Sequence, residues 1–207
     1  MKNDKRQLTL TLSVVFSFFG PIVTGIAWMM NTSATQFADF IRRSAELSVL
    51  VLALYSYMRI KNLTLNPAKK HQFQFRMYRV SGFVLMFSST LLLFLFIRAL
   101  VYPSIPEGNV MLGLATAGLG LLFNTYFWLR YSKFNQEKAS AIMDSQGSIY
   151  QAKTFADLNV VIALTSVLVF ASSWLSYWID TFGTLLLALY LAIRGYSLFR
   201  KKDVESD

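Results

Sequence analysis

The sequence predicts an all-α integral membrane protein with six transmembrane helices and with both termini in the cytoplasm. Hydrophobic residues make up 55% of its 207 residues and aromatic residues 15%, which is more than soluble globular domains carry. Six segments are long and apolar enough to cross a bilayer as helices. Lys and Arg are concentrated in alternate connections between these segments, which sets the orientation of the helices in the membrane.

Each span needs about 20 mostly apolar residues. The first, LTLTLSVVFSFFGPIVTGIAWMM, is too long for the core of a signal peptide and lacks a small-x-small cleavage site, so we expect it to remain in the mature protein. We expect residues 1–207 to form one transmembrane domain without a soluble domain. The predicted spans are 8–30, 37–60, 78–102, 108–131, 154–175 and 177–199.

The connections support this order. Basic residues precede the first span, lie between the second and third and between the fourth and fifth, and follow the sixth, whereas NTSATQ and YPSIPEGN contain no Lys or Arg. The polar stretch SKFNQEKASAIMDSQGSIYQ forms an inner loop or continues the flanking helices. Pro21 predicts a kink in the first helix, and the small residues of GLATAGLG favour close helix packing in the fourth.

Several function classes are disfavoured. The net charge of +9 is distributed between apolar spans and forms no continuous basic stripe, so we expect the lipid bilayer and not a nucleic acid as partner. The sequence has no Cys and a single His, His71, which excludes disulfides and a multi-histidine metal site within one chain. We find no nucleophile–base arrangement and expect no enzyme. Basic loops without an organellar targeting segment favour a bacterial inner membrane.

Charged residues within the spans are the strongest functional signal, because each costs about 2.5 to 3.5 kcal/mol on insertion. Arg42 and Glu46 are four residues apart on one helix face, and so are Lys153 and Asp157. The second span runs inward and the fifth outward. Antiparallel packing would therefore pair Arg42 with Asp157 and Glu46 with Lys153, and we predict a transport or ion-pair site from these four residues.

Other polar residues accompany this site. Asp39, Asn124 and Asn159 are secondary polar positions, and Arg98 lies near the outer end of its span, where it can reach the headgroups. Asp180 is favoured electrostatically near the N-terminus of the sixth helix and needs no functional explanation.

Three segments have counterparts in one known family. Thr32-Ser33 followed by ADFIRRSAE, residues 38–46, is similar to an Ala-Asp-x2-[His/Asp]-x3-Asp pattern after a Ser-containing loop. HQFQFRMYR, residues 71–79, is similar to a His-Pro-Phe-Gly-Tyr-Gly-Arg-Ala-Glu segment, and IDTFGTLLL, residues 179–187, to a sixth span that opens on Asp. Over nearly its whole length the chain resembles the cation diffusion facilitator (cation efflux) family of six-span metal/proton antiporters. The resemblance implies a homodimer, although the family's usual cytoplasmic domain after the sixth span is not expected here.

The departures from the family concern its metal site. The family places four tetrahedral ligands on the second and fifth spans, at positions that correspond here to Arg42, Glu46, Lys153 and Asp157. Arg and protonated Lys have no lone pair for a metal, so at most Glu46 and Asp157 are metal ligands. An alternative register of the fifth span, anchored on residues 164–168, puts residues 156 and 160, Ala and Val, at the ligand positions. In either register the four-ligand site is absent.

Two functions follow from the resemblance. In the first, the chain is a secondary transporter that exchanges a divalent metal or another cation for protons, with Glu46 and Asp157 as coordinating or proton-carrying groups. A metal then enters as substrate, and no cofactor is expected. In the second, the predicted ion pairs replace the metal, and the chain is a structural or regulatory subunit or carries another solute. We favour the first, because the polar groups lie at similar depth on two helices.

Overall fold

The computed structural model describes residues 2–31, 34–62, 67–103, 110–170 and 174–201. In this part of the chain all regular secondary structure is helical, and the prediction of six helices is confirmed. The helices are α1 (Lys2–Asn31), α2 (Ala34–Asn62), α3 (Pro67–Val101), α4 (Val110–Glu137), α5 (Ala141–Val169) and α6 (Trp174–Arg200).

Four of these helices contain segments long and apolar enough to cross a membrane, namely Lys5–Ile26, Gln72–Val101, Ala141–Val169 and Trp174–Arg200. The chain is therefore an integral membrane protein. Helix α2 is less apolar, because ionisable side chains occupy much of its N-terminal half.

Consecutive helices run in opposite directions. Lys61 Nζ donates to Gln7 Oε1 at 2.9 Å, which places the end of α2 beside the start of α1. An ion pair between Lys201 and Asp144 places the residue after α6 beside the start of α5. We call this end of the bundle, which holds the start of α1 and the end of α6, the terminal end.

Helices α3 and α6 form the closest pair. A Cβ atom added to Gly82 would lie 2.7 Å from the carbonyl oxygen of Gly195, and one added to Gly195 would lie 2.8 Å from the carbonyl oxygen of Gly82. Backbone therefore contacts backbone at this crossing, as in other membrane helix pairs with small residues at the interface. Near the other end of the bundle, the hydroxyl of Tyr177 donates to the carbonyl of Ala99 at 2.8 Å.

The hydrophobic core occupies the terminal half of the bundle. Leu10, Leu50, Leu85, Met143 and Leu198 are almost completely buried there. Tight packing in this half holds the helices in register, while the opposite half of the bundle encloses a cavity.

The helices continue beyond the predicted spans at the terminal end, which is one of the two alternatives predicted for the polar stretch between the fourth and fifth spans. Helix α5 begins at Ala141 and not near residue 154, after Ser140 in an extended conformation (φ −153°, ψ 125°). Helix α4 continues to Glu137, so most of the polar stretch between the fourth and fifth spans is helical. The hydroxyls of Ser145 and Ser148 donate to carbonyls one turn earlier in the same helix.

The connection before the third span is also partly helical. Helix α3 begins at Pro67, so residues 71–79 lie within it, although the side chain of His71 lies outside the described part. Residues 32–33, 104–109 and 171–173, where we predicted outer connections and the end of the fifth span, also lie outside it. Pro21 lies within α1, and its predicted kink stays a prediction.

Candidate functional site

A cavity of about 760 Å³ lies in the half of the bundle away from the terminal end, and all six helices contribute to its lining. The lining comes from the C-terminal halves of α1 and α3, the N-terminal halves of α2, α4 and α6, and the middle of α5. Every residue that the sequence predicted for the site lines this one cavity. These residues are Asp39, Arg42, Glu46, Asn124, Lys153, Asp157 and Asn159.

Glu46 of α2 forms an ion pair with Lys153 of α5. Its side chain is only 4% exposed, and its Oε2 lies 3.6 Å from Lys153 Nζ. Its Oε1 accepts a hydrogen bond from Arg42 Nη1 at 3.4 Å. Of the two ion pairs that the spacing predicted, the structure therefore contains the one between Glu46 and Lys153.

The other predicted pair, Arg42 with Asp157, was wrong. Arg42 instead binds Asp39 on its own helix, donating from Nη2 to Oδ1 at 2.6 Å and from Nε to the same oxygen at 3.1 Å. Arg43 donates to the second oxygen of Asp39 at 2.8 Å. Asp39 lies three and four residues before the two arginines, so a nearer carboxylate on the same helix face is available to Arg42.

Asp157 is consequently left without a cation. It is 5% exposed, and its Oδ2 accepts a hydrogen bond from Asn124 Nδ2 of α4 at 2.6 Å. None of the ion pairs in the described part of the chain includes Asp157. Gly120, one turn before Asn124, makes room for this carboxylate, because a Cβ atom at Gly120 would lie 2.7 Å from Asp157 Oδ2.

The cavity also reaches α6, where Asp180 lines it. From the sequence, we interpreted Asp180 as an acidic residue that is favoured near a helix N-terminus and needs no functional explanation. It has no ion-pair partner in the described part of the chain. Asn159 of α5 packs against Gly183, one turn further along α6, where a Cβ atom would clash with its side-chain oxygen. The sequence did contain a signal for Asp180, because this residue lies in the segment IDTFGTLLL, which resembles a sixth span that opens on Asp.

Lys153 has further partners, one on α1 and one on its own helix, that sequence reasoning missed. Its Nζ donates to Ser17 Oγ at 3.1 Å and lies 5.0 Å from the centre of the Tyr150 ring. Ser17 Oγ lies 3.0 Å from the Tyr150 hydroxyl, which donates to the carbonyl of Ser13 at 3.1 Å. The ammonium is held between a carboxylate, a hydroxyl and an aromatic face. Single serines in an apolar span gave no signal for this role.

These contacts limit the metal chemistry of the cavity. The oxygens of Asp39 and Glu46 are occupied by Arg42, Arg43 and Lys153. Within the described ranges, no three His, Cys, Asp or Glu side chains are grouped closely enough to hold a metal ion. Of the two residues predicted as metal ligands, only Asp157 faces the cavity without a basic partner.

The ligand positions of the fifth span line the cavity in both registers. Ala156 and Val160, the ligand positions in the alternative register, line it together with Lys153 and Asp157. The side chains of Ala156 and Val160 offer no donor atoms, so the polar chemistry of α5 comes from Lys153, Asp157 and Asn159 in either register.

The sequence matches a protein-family model described as the cation efflux transmembrane domain, over residues 10–202. This match covers all six helices. No curated protein matches the chain.

Proposed function

The chain belongs to the cation efflux family, and on this basis we propose that it is a secondary transporter that exchanges a cation for protons through the central cavity. Asp157 is the group that binds the cation or the proton, and Glu46 acts with it. In this proposal the chain is a transporter and not an enzyme, all six helices cross the membrane, and both termini are in the cytoplasm. The membrane is a bacterial inner membrane.

The distribution of charge supports the orientation. Basic side chains gather near the terminal end on several helices, as expected for the cytoplasmic side. They include Lys5, Arg6, Arg59, Lys61, Arg76, Arg79, Arg130, Lys133, Arg200 and Lys201. The cavity lies in the opposite half of the bundle, so in this orientation it is on the outer side.

The observation that carries the proposal is the environment of Asp157. An ionisable side chain within a membrane bundle is costly and marks ion or proton pathways. Asp157 lines a cavity and accepts a hydrogen bond from Asn124, and it forms no ion pair with any residue that the structure describes. A carboxylate in this position can hold a cation or a proton but not both at once, and such competition is what couples the two fluxes in an exchanger.

The test is a flux measurement on the purified full chain in proteoliposomes with a pH-sensitive dye inside. With an imposed pH gradient, an added substrate cation should release protons from the acidic side in the wild type. Asp157→Asn should abolish this release. Asp144→Asn is the matched control, because it removes a carboxylate of the same kind at the terminal end, outside the cavity. Equal flux in Asp157→Asn and wild type would contradict the proposal.

The carboxylates that already have ion-pair partners favour a second candidate function. Asp39 and Glu46 are neutralised by Arg42, Arg43 and Lys153, which suits a structural clamp in a regulatory subunit. In that case no tested cation would drive proton release in the proteoliposomes. A homodimer, which the family suggests, would appear in the mass of the detergent-solubilised protein measured by light scattering.

A further inference from the structure

We propose that the substrate cation is an amphipathic organic cation, with its positively charged nitrogen against Asp157 and its apolar part in the cavity, and not a divalent metal ion. This inference rests on the proposed transport function and names its substrate class. Three features of the cavity carry it: carboxylates without an ion pair among the described residues, the volume, and the aromatic lining.

The first feature is the unpaired charge. The cavity is lined by four acidic residues, Asp39, Glu46, Asp157 and Asp180, and by four basic ones, Arg42, Arg43, Arg98 and Lys153. Asp39 and Glu46 bind their cations within the cavity wall, whereas Asp157 and Asp180 have no ion pair among the described residues.

A structural or transported Zn²⁺-type ion takes about four ligand atoms at roughly 2.0 to 2.3 Å. To recruit Glu46 as a ligand, such an ion would have to displace both Arg42 and Lys153, which leaves two buried cations without partners. A single positive charge, in contrast, is matched by Asp157 alone. Asp180 of α6 and Arg98 of α3 also line the cavity, so its acidic and basic side chains are equal in number and the recognition of the cation rests on Asp157.

The second feature is the volume. Sites for small organic molecules enclose about 300 to 1,000 Å³ and are lined mainly by apolar and aromatic side chains with a few polar groups. The cavity, at about 760 Å³, falls within this range. Leu91, Leu92 and Leu95 of α3 form part of its apolar lining. A dehydrated metal ion would occupy only a small part of such a space.

The third feature is the aromatic lining of the cavity. Phe16 and Phe123 stack with ring centres 4.9 Å apart, and Phe127 lies 5.1 Å from the ring of Tyr150. All four line the cavity. Phe127 lies three residues after Asn124, the residue that bonds Asp157, and therefore on the same face of α4.

Aromatic rings attract organic cations through their negative faces, with a contribution that grows when the cation is desolvated. The cavity already contains one such contact, because the ammonium of Lys153 lies 5.0 Å from the centre of the Tyr150 ring. A buried carboxylate in a cavity that also has aromatic and aliphatic lining can recognise an organic ammonium or phosphonium group.

The experiment measures equilibrium binding of radiolabelled tetraphenylphosphonium, a monovalent aromatic cation, to the purified full chain in detergent. Competitors are benzyltrimethylammonium, the neutral triphenylphosphine oxide, Zn²⁺ and Mn²⁺. We expect saturable binding that benzyltrimethylammonium displaces, and that neither the neutral compound nor the metal ions displace at equal concentration. We also expect binding to weaken as the pH falls, because protons compete for the same carboxylate.

Asp157→Asn should weaken binding by about 10- to 100-fold, the loss expected for a charge-assisted contact. Asp144→Asn, at the terminal end, should leave it unchanged. Displacement by Zn²⁺ or Mn²⁺, with the loss of metal binding in Asp157→Asn, would overturn the inference in favour of a metal site. Tetraphenylphosphonium binding that is unchanged in Asp157→Asn, or displaced by the neutral compound, would overturn it in favour of a lipid-like apolar cavity. The competition on the wild type decides the matter even if Asp157→Asn does not fold.

The outcomes for this inference and for the transport function are separable. If the organic cation binds through Asp157 but drives no proton release in proteoliposomes, the site is correct and the transport function is wrong. If a metal ion drives Asp157-dependent proton release and the organic cation does not bind, the transport function is correct and the substrate class is wrong.

Discussion

Removal of the Glu46 carboxylate should destabilise the bundle through Lys153. In Glu46→Gln, Lys153 keeps the Ser17 hydroxyl and the Tyr150 ring but loses its ion-pair partner, and its side chain is only 11% exposed. Removing one partner of a buried ion pair costs about 3 to 5 kcal/mol. The pair lines a cavity, which reduces the penalty, so we expect about 3 kcal/mol, near the low end of that range.

The reverse change should cost less. In Lys153→Gln, Glu46 keeps its hydrogen bond from Arg42 at 3.4 Å, so we expect about 1 to 2 kcal/mol. In Glu46→Gln/Lys153→Gln both charges are absent, and the loss should be about 1 kcal/mol. The two single costs together therefore exceed the cost of the double substitution by about 3 kcal/mol or more, which is the coupling energy of the pair.

Thermal unfolding of the purified variants in detergent, followed by far-ultraviolet circular dichroism, measures these differences. For a chain of this length, about 3 kcal/mol corresponds to a fall in Tm of roughly 6 to 12 °C. The exchange Glu46→Lys/Lys153→Glu is the control, because it retains both charges and should recover part of the loss. Costs that simply add in the double variant would refute the coupling between α2 and α5.

Three further predictions follow from close contacts. Gly120→Ala should displace the carboxylate of Asp157 and reduce proton-coupled flux at least about tenfold. The control is Gly118→Ala, where a Cβ would meet nothing within 4 Å, and it should leave the flux unchanged. Equal flux in the two variants would contradict the role of this contact. Gly195→Ala should push α6 from α3 and cost about 1 to 3 kcal/mol in thermal unfolding, and an unchanged Tm would show that the helices do not meet there. Tyr150→Phe removes the hydroxyl that bonds α1 and should cost about 1 kcal/mol, measured by the same unfolding assay, while full stability would count against the bonded hydroxyl.

The positions of the site could be predicted from the sequence, but the pairing could be predicted only in part. Arg42 and Glu46 share a face of α2, and Lys153 and Asp157 share a face of α5, because the helical repeat places residues four apart side by side. The Glu46–Lys153 contact follows from antiparallel packing of these faces. The partner of Arg42 could not be predicted, because the choice between Asp39 and Asp157 depends on the distance between helices. The spacing of residues along one helix gives no information on that distance.

The boundaries show a similar division. Six helices were predictable because each needs a continuous apolar segment. The choice between an inner loop and a continuation of the flanking helices before the fifth span stayed open, because Gln146 and Ser148 are polar in the sequence and are buried only by the helices around them.

The sequence by itself determined six helices, the charge asymmetry of their connections, and a set of seven polar residues that all line one cavity. These properties depend on local composition and on the helical repeat, which a linear sequence contains. The tertiary structure alone decided that Asp39 takes both arginines, that Asp157 remains without a cation, and that Asp180 shares its cavity. The physical reason is that the partner of a buried charge is set by distances between helices, and those exist only once the bundle has formed.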